Sequence, residues 1–469
     1  MSVARRVLPD APARRGWCPS LARPMSTGDG LLARIHPPLG VLTSLQARAV
    51  AAGARRFGNG HIDVTARANL QIRGVTEATR SSLAAFLAGV GVGDVRADGG
   101  PQRLTLTPPL AGPDVVDVAR AIEAVGLGIP GLPAKALVTV ESAEPLSRPV
   151  PGSSSSKAFG VRQGAAGLTA TDADIRLVII RDDNTPFPGS PSADASGVRD
   201  RASGVNGACS IALALAGPDG PEWFAPFSPR DAIASADAAL RTLAASGARR
   251  MRDLPAGERA GLRRNLGPAI PPRPPGEPVG LIPGVTELGD GRSALLFDAP
   301  FGRCGADALD RLADRAEVLA SDIHLSPTRG FALVTPDIAA ARDARDALAH
   351  LGFITKADDP RGAVAACPGA PACASGSTAT LDDAGRLAEI FRPFAALGLR
   401  AHVSGCAKGC AHPVAADLTL VGNDGLYGIV LGGPPSALPA MRLTFEAALE
   451  RLRRADPTQA LAQAFRIQP

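Results

Sequence analysis

Two cysteine pairs near the C-terminal end place the strongest constraint on how this chain can fold. Cys367 and Cys373 form a Cys-x5-Cys pair, and Cys406 and Cys410 form a Cys-x3-Cys pair. Both pairs lie in segments rich in Gly, Ala and Pro, whose backbone can approach a metal centre closely. Four thiolates are the usual ligands of a 4Fe–4S cluster. The sequence therefore predicts that two separate loops converge on one iron–sulfur centre.

Two other interpretations of these thiols are consistent with the spacing. Zinc ligands typically stand two to four residues apart, which suits the second pair but makes the first one wide. In that case the chain would be a zinc-stabilised binding protein without catalysis. The four thiols could also be unrelated free cysteines, as we expect for Cys18, Cys209 and Cys304. We expect Lys408 to offset thiolate charge, and His412 to lie near the centre or at the surface without being a ligand.

Length and charge narrow the possible functions. The 469 residues suggest about three domains. The net charge of +5 is spread out, without the basic and aromatic runs of a nucleic-acid-binding surface, and suits a multiply anionic small molecule. No apolar run approaches the ~20 residues that span a bilayer. Residues 1–22 form a basic tail without the apolar core of a secretory signal, and the clustered cysteines suit a reducing cytoplasm.

The chain repeats a unit of turn, helix and strand. One copy runs from Pro38–Gly40 to His61–Arg67, and the other from Pro300–Gly302 to Asp322–Arg329. The offset is 300 − 38 = 262 at the turn and 323 − 62 = 261 at the strand, so one insertion or deletion separates the copies. This period is too long for a solenoid and indicates duplication of a half-protein.

Local patterns predict further elements. A capping box, Thr43-Ser44-Leu45-Gln46, begins the first repeat helix. The second repeat helix has an apolar stripe at helical spacing, formed by Leu309, Leu312, Ala316 and Leu319. Strands are predicted at Ile175–Arg181 and Ser210–Ala216, and a hairpin around Asn423-Asp424-Gly425. Helices are predicted at Arg230–Ser246, Asp337–Leu351 and Met441–Arg454.

A polar row ends the first repeat. If residues 65–71 form a strand, Thr65, Arg67, Asn69 and Gln71 share one face. Such a row is either the solvent face of an amphipathic strand or part of an anion-binding site.

The Thr-x-Arg-x-x-x-Gln segment, the two cysteine pairs and the duplication resemble the sulfite and nitrite reductase superfamily, from about Arg23 onward. Within it, the sequence is most similar to the precorrin-3B synthase family, on residues 23–25, 28–32, 365–371 and 402–410. The resemblance implies an α+β fold with ferredoxin-like half-repeats at 23–90 and 279–350. Two larger α/β domains, at 91–265 and 351–469, would complete it, the second carrying the cluster.

Two connecting segments are predicted within this arrangement of domains. The Pro-rich segment 266–278 predicts a semi-rigid linker between the halves. The segment around 148–157 contains Pro-Val-Pro-Gly followed by four serines, and it predicts a flexible connection.

The resemblance implies O2-dependent hydroxylation of precorrin-3A at C20, with γ-lactone formation, in cobalamin biosynthesis. The alternative is a sirohaem-dependent sulfite or nitrite reductase, in which Cys410 would bridge sirohaem and cluster. Electrons would come from NADH through a separate reductase or ferredoxin, because the Gly89–Gly93 segment lacks a dinucleotide-binding fingerprint. The family is also associated with a mononuclear non-haem iron. The histidines show no two-His-one-carboxylate spacing: His36, His61, His324, His350, His402 and His412.

The substrate carries many carboxylates, which Arg binds through its fork and Lys as a point charge. The candidates are Arg67, Lys135 and Arg329, the last being the second copy's counterpart, with Thr65 and Gln71 as hydrogen-bonding partners. Lys135 matches the Leu-Pro-x-Lys segment of the reductases' anion pocket. This chain has Leu137 where those reductases have a second lysine, and a further arginine would fall near Gln102 or Arg103. Loss of cations from the pocket argues against sulfite or nitrite and in favour of a larger polyanion.

Overall fold

The computed structural model describes residues 18–143, 147–149, 173–181, 209–271 and 281–465. Its strands are β1 (Met25–Thr27), β2 (Gly30–Ile35), β3 (Val41–Leu42), β4 (His61–Val64), β5 (Leu70–Val75), β6 (Thr105–Leu106), β7 (Val138–Ser142), β8 (Ser147–Pro149), β9 (Ile175–Arg181), β10 (Cys209–Ala216), β11 (Pro221–Phe227), β12 (Ala269–Ile270), β13 (Gly284–Leu288), β14 (Ser293–Asp298), β15 (Arg303–Gly305), β16 (Ile323–Ser326), β17 (Gly330–Thr335), β18 (Val364–Ala366), β19 (Ala401–Ser404), β20 (Ala416–Asn423), β21 (Leu426–Gly433) and β22 (Met441–Leu443). Its helices are α1 (Ser44–Phe57), α2 (Arg80–Ala88), α3 (Pro113–Leu127), α4 (Pro229–Ser246), α5 (Ala256–Leu266), α6 (Ala306–Val318), α7 (Ile338–His350), α8 (Thr380–Ala395), α9 (Phe445–Arg454) and α10 (Leu461–Ala464). Among these helices, none combines the length and apolar character needed to cross a membrane.

Four sheets organise the described residues. Repeat sheet 1 has the order β1-β2-β5-β4-β15, and repeat sheet 2 has the order β3-β16-β17-β14-β13-β8. Domain sheet 1 is β12-β11-β10-β9-β7-β6, and domain sheet 2 is β18-β19-β20-β21-β22. Each domain sheet mixes parallel and antiparallel pairs, whereas the strand pairs in the repeat sheets are antiparallel.

The two repeat sheets exchange their edge strands. Strand β15 of the second copy pairs with β4, and β3 of the first copy pairs with β16. Cys304 opposes Ile62 and Leu42 opposes Ile323, so the offsets are 304 − 42 = 262 and 323 − 62 = 261. The structure thus has the repeat register expected from the sequence.

The same register corrects the counterpart of Arg67. Ala68 and Arg329 are separated by 329 − 68 = 261 residues, and both have positive φ, 50° and 69°. Arg329 is therefore the structural equivalent of Ala68, and Thr328 is that of Arg67. Arg329 therefore stands one position later in its turn than Arg67 does in the first copy. The two arginine side chains are not structurally equivalent.

The repeat helices share one core. Helices α1 and α6 pack against each other, and a single apolar cluster contains residues of both copies. The predicted capping box is present, because Thr43 Oγ1 accepts from Gln46 N at 3.2 Å and Gln46 Oε1 accepts from Thr43 N at 3.0 Å. Along α6, Leu309, Leu312 and Ala316 are buried and Leu319 is partly buried, as the apolar stripe predicted.

Two local predictions are wrong. Residues 65–69 form a turn between β4 and β5 and not a strand, since Thr65 N donates to Asn69 O and Ala68 N to Thr65 O, both at 2.9 Å. Residues 441–443 form strand β22, so the predicted C-terminal helix begins only at Phe445. Pairing of β22 with β21 outweighs the helical pattern there, because it completes the edge of domain sheet 2.

The two predicted breaks lie largely outside the described residues. Helix α5 ends at Leu266 and β12 follows, whereas residues 272–280 of the Pro-rich segment are not described. Of the segment expected to be flexible, residues 148 and 149 belong to β8, which pairs with β13, and residues 150–157 are not described. Of the basic tail, residues 1–17 are not described.

Candidate functional site

Both cysteine pairs begin at the same edge of domain sheet 2. Cys367 directly follows β18 and Cys406 follows β19 by two residues, and these strands are parallel neighbours. Since the carboxyl ends of parallel strands meet at one edge, the two loops start side by side. Gly405 N donates to Cys367 Sγ at 3.2 Å, which links the loops directly. The tertiary structure thus brings together the two segments that carry the predicted ligands.

Glycines allow the cysteine loops to approach each other closely. A Cβ on Gly405 would lie 3.2 Å from the Cα atoms of both Gly369 and Gly376. Gly369 has a φ of +61°, and a Cβ there would lie 2.3 Å from Thr380 Oγ1. Larger residues would push the loops apart, so the Gly content of these segments serves to pack the loops tightly around the thiols.

Burial and neighbouring thiols raise the pKa of both cysteines of the second pair. Burial raises the pKa of Cys406, and the nearby Cys373 and Cys367 raise it further. Burial, followed by the same thiols and Cys406, raises the pKa of Cys410 to about 11, although Lys408 acts in the opposite direction. Cys410 is nevertheless accessible to solvent. A metal centre binds cysteine sulfur as thiolate, so ligation by Cys406 and Cys410 would release protons.

The donor set and the packing fit an iron–sulfur cluster. The two loops that carry the four thiols start at one sheet edge, a backbone N–H bonds one sulfur, and glycines let the loops approach each other closely. Among the described residues, no group of three or more His, Cys, Asp or Glu side chains has the arrangement of ligands around a single metal ion.

The predicted substrate-binding residues of the first repeat lie around the turn at 65–69. Arg67 Nη1 donates to the carbonyl oxygen of Lys135 at 3.2 Å, which joins the turn to the loop before β7. Thr65 Oγ1 accepts from the backbone N of Arg67 and of Asn69, at 3.3 and 3.1 Å. Thr65 therefore shapes the turn that presents Arg67, a role that differs from the expected ligand contact.

An arginine that was not singled out from the sequence completes this group. Arg34 lies opposite Gln71 in the register of β2 and β5, and it donates to Gln71 Oε1 at 3.1 and 2.7 Å. Its only sequence signal was a charged residue within the apolar strand Gly30–Ile35. The side-chain oxygen of Gln71 is thus engaged by Arg34.

The arginine expected near position 102 or 103 is Arg103. Its Nη1 donates to the carbonyl oxygens of Ala68 at 3.0 Å and Pro37 at 3.2 Å, and its Nη2 bonds that of Arg67. Gln102 instead bonds the backbone of Arg96 and points away from the turn. Arg103 therefore stabilises the 65–69 turn by bonding its backbone carbonyl groups.

We call Arg34, Arg67 and Arg103 the arginine group. Burial and the positive charge of Arg67 lower the pKa values of Arg34 and Arg103. Burial and then Arg67 lower the pKa of Arg34, although Cys18 raises it. Burial lowers the pKa of Arg103 to about 10, with Glu123 raising it and Arg67 lowering it. Burial, Arg34 and Arg103 hold the pKa of His36 well below its usual value. A bound polycarboxylate would relieve this accumulation of positive charge.

Arg329 contacts the second cysteine loop. Its Nη2 donates to the carbonyl oxygen of Ala411, the residue after Cys410, at 3.0 Å. Burial lowers its pKa, while Asp63, Cys410 and Cys367 raise it. The structure therefore places the Arg329 side chain against the second cysteine loop.

A buried histidine pair borders the cysteine loops. His402, on β19, is fully buried, and neither ring nitrogen has a hydrogen-bond partner among the described residues. Its ring meets that of His412 edge-on, with centroids 5.8 Å apart. Burial, together with His412 and Arg329, lowers the pKa of His402 to about 3, so this ring is neutral.

Comparison with known proteins agrees with this architecture. Residues 23–90 match the family described as nitrite/sulfite reductase ferredoxin-like half domain. The NirA protein of Mycobacterium tuberculosis, at 17% identity, aligns with a TM-score of 0.61 over 92% of this chain and 83% of its own. That likeness concerns the fold alone, and with the half-domain match it confirms the predicted duplicated α+β architecture.

A second comparison gives a higher sequence identity, to an enzyme. Precorrin-3B synthase of Sinorhizobium sp is 34% identical over 438 residues, which span 92% of this chain and 85% of that protein. Because this identity extends over nearly the whole length of both proteins, the chain belongs to the precorrin-3B synthase family of enzymes.

Proposed function

We propose that the chain hydroxylates precorrin-3A at C20 with dioxygen and forms a γ-lactone from the ring A acetate. The observation that carries this proposal is the 34% identity to precorrin-3B synthase over 92% of the chain. The arginine group and Lys135 supply the cations that a polycarboxylate substrate requires. Leu137, which replaces the second lysine of the reductases, is 3% exposed and belongs to the core, so it adds no charge there.

The reaction balances with two external electrons. One oxygen atom of O2 becomes the C20 hydroxyl group, and the other leaves as water after taking up two electrons and two protons. The acetate oxygen adds to the other carbon of the same carbon–carbon double bond, and its proton passes to the new hydroxyl group, so the lactone requires no further oxidant. Cys367, Cys373, Cys406 and Cys410 would hold a 4Fe–4S cluster, which supplies one-electron transfer. No ligand set is assigned to a separate mononuclear iron, because no suitable group of three side chains occurs among the described residues.

The arginine group and the cysteine loops are suitably placed for one substrate. Gln71 and Arg73 are two residues apart on β5, so they share a face about 7 Å apart. Gln71 bonds Arg34 of the arginine group, whereas Arg73 bonds the carbonyl oxygen of Ala372 in the first cysteine loop. Strand β5 thus connects the arginine group to the first cysteine loop, which supports one substrate-binding region beside the proposed cluster.

A separate protein would deliver the electrons from NADH. Gly89 ends helix α2, so the Gly89–Gly93 segment follows a helix, whereas a dinucleotide-binding loop follows a strand. We therefore infer an external reductase or ferredoxin as donor, in a reducing cytoplasm that keeps the thiols available.

The test uses protein purified without air. We expect iron, inorganic sulfide and iron–sulfur absorption, and conversion of precorrin-3A that requires both reductant and O2. With isotopically labelled dioxygen, the label should enter the product hydroxyl group. Sirohaem absorption with reduction of sulfite or nitrite would instead establish the reductase alternative. Protein that contains no inorganic sulfide and converts no precorrin-3A would refute the proposal.

A further inference from the structure

The Gly28-Asp29 turn contacts the first cysteine loop, although more than three hundred residues separate them in sequence. Gly28 N donates to the carbonyl oxygen of Ala372 at 3.2 Å. A Cβ on Gly28 would lie 2.3 Å from Pro371 O and 3.0 Å from the carbonyl carbon of Cys373. Only a residue without a side chain allows this approach, so the β1–β2 hairpin sits directly on the loop that carries Cys373.

Arg73 holds the same carbonyl group from the other side. It is 3% exposed, and its Nη2 also bonds the Ala372 oxygen. Its Nε and Nη2 donate to the two carboxylate oxygens of Asp29 at 2.9 and 2.7 Å, and its Nη1 donates to Asp63 at 3.1 Å. All three guanidinium nitrogens are therefore engaged, which fixes the side chain in one orientation.

The charges around Arg73 balance. Asp63 is 8% exposed and also accepts from Arg303 Nε at 2.6 Å, so two arginines face two aspartates. Arg73 keeps the pKa of Asp29 below its usual value despite the opposing effect of burial. Removal of one member would leave a buried charge without its partner, which is strongly destabilising. The network is therefore a rigid support and not an incidental surface contact.

We propose that Gly28 and Arg73 are positioning residues for Cys373, acting through the Ala372 carbonyl group that directly precedes it. This rests on the proposed iron–sulfur cluster and extends it to the opposite half of the chain. The loop's internal bonds, Cys373 N to Gly369 O at 2.6 Å and Ala370 N to Thr378 O at 2.8 Å, fix its shape. The contacts from the β1–β2 hairpin additionally fix the position of this loop relative to the first half-repeat. Outer contacts of this kind typically change metal affinity 10- to 100-fold.

The experiment compares two substitutions that disturb the contact in different ways. Gly28→Ala adds a methyl group against the loop backbone and removes no charged group. Arg73→Lys keeps the charge but lacks the fork that bonds Asp29, Asp63 and Ala372 together. Gly385→Ala, within α8 of the same cluster domain, is the matched control, because nothing lies within 4 Å of its added Cβ.

Four quantities are measured on anaerobically purified protein: iron and inorganic sulfide per chain, the electron paramagnetic resonance spectrum of the reduced cluster, the rate of bleaching in air, and the thermal unfolding midpoint. We expect Gly28→Ala to bleach about 10- to 100-fold faster than wild type, with an altered resonance spectrum. We expect Arg73→Lys to show the same change, and Gly385→Ala to match wild type.

Each outcome decides between the two proposals. If wild-type protein contains a cluster and Gly28→Ala matches it in spectrum and bleaching rate, the positioning role is wrong while the proposed function stands. If wild type contains no inorganic sulfide, the proposed function fails, and the positioning role fails with it. Should Arg73→Lys not fold, Gly28→Ala decides the matter alone, since it retains all the charged groups of the network. A loss of unfolding midpoint without any spectral change would show a purely structural contact and overturn the proposal.

Discussion

Substitution of Arg67 by alanine tests the arginine group most directly. Arg67 stands on the 65–69 turn, and its guanidinium donates to the carbonyl oxygen of Lys135 at 3.2 Å. Its charge opposes protonation of Arg34 and Arg103. Alanine at this position therefore removes a cation from an already crowded group, so we expect little cost to folding.

Arg67→Ala should instead weaken substrate binding. A hydrogen bond to a charged group contributes about 1.5–3 kcal/mol. Its loss corresponds to roughly a 10- to 150-fold increase in Kd, since every 1.4 kcal/mol is a factor of ten. Arg67→Lys should lose less, because lysine keeps the charge without the bidentate fork. The difference between variants and wild type should narrow at high salt, which screens the exposed part of the interaction.

Anaerobic calorimetric titration with precorrin-3A, or with a stable polycarboxylate porphyrin, measures this change. Arg120→Ala is the control, since Arg120 is an exposed arginine paired with Asp117 on α3. Iron content is measured in parallel. A Kd of Arg67→Ala within twofold of wild type, at equal iron content, would show that the anion site lies elsewhere. Loss of iron equal to that of a cysteine variant would show that Arg67 is structural.

Three further predictions concern the cluster and stability. Cys373→Ser should lose iron and inorganic sulfide, measured by chemical analysis, because serine cannot replace the thiolate ligand. Thr43→Ala removes the capping box of α1 and should lower the free energy of unfolding by about 1 kcal/mol, measured with denaturant. Burial lowers the pKa of His402 to about 3 in the folded state, whereas the ordinary value is 6.5. As the pH falls below 6.5, this histidine therefore becomes protonated in the unfolded state but stays neutral in the folded state. Stability should therefore decline by about 1.4 kcal/mol per pH unit between these values, and His402→Phe should remove that part of the slope.

The candidate site was only partly predictable from sequence. Cysteine spacing and glycine-rich flanks identified the four thiols, because those are local properties. Arg34 was missed because its position opposite Gln71 depends on strand pairing. Arg329 was grouped with Arg67 on the basis of the repeat, yet its side chain bonds the carbonyl of Ala411, because the turn places it one position later.

Elements with strong local signals were predicted correctly. The capping box of α1, the strand β9 and the β20–β21 hairpin all follow from nearest neighbours in sequence. The exchange of β3 and β15 between the repeat sheets could not be predicted, since it joins segments about 260 residues apart.

The sequence by itself determined the chemistry available to this protein: four thiols in tight loops, a cationic first repeat and a duplicated half. Residue types and their short-range spacing are written in the chain, so these features needed no coordinates. Only the tertiary structure decided that parallel strands β18 and β19 start both cysteine loops at one edge, and that Gly28 and Arg73 support one of them. The physical reason is that close contacts between distant segments depend on sheet register and packing, which local sequence patterns do not encode.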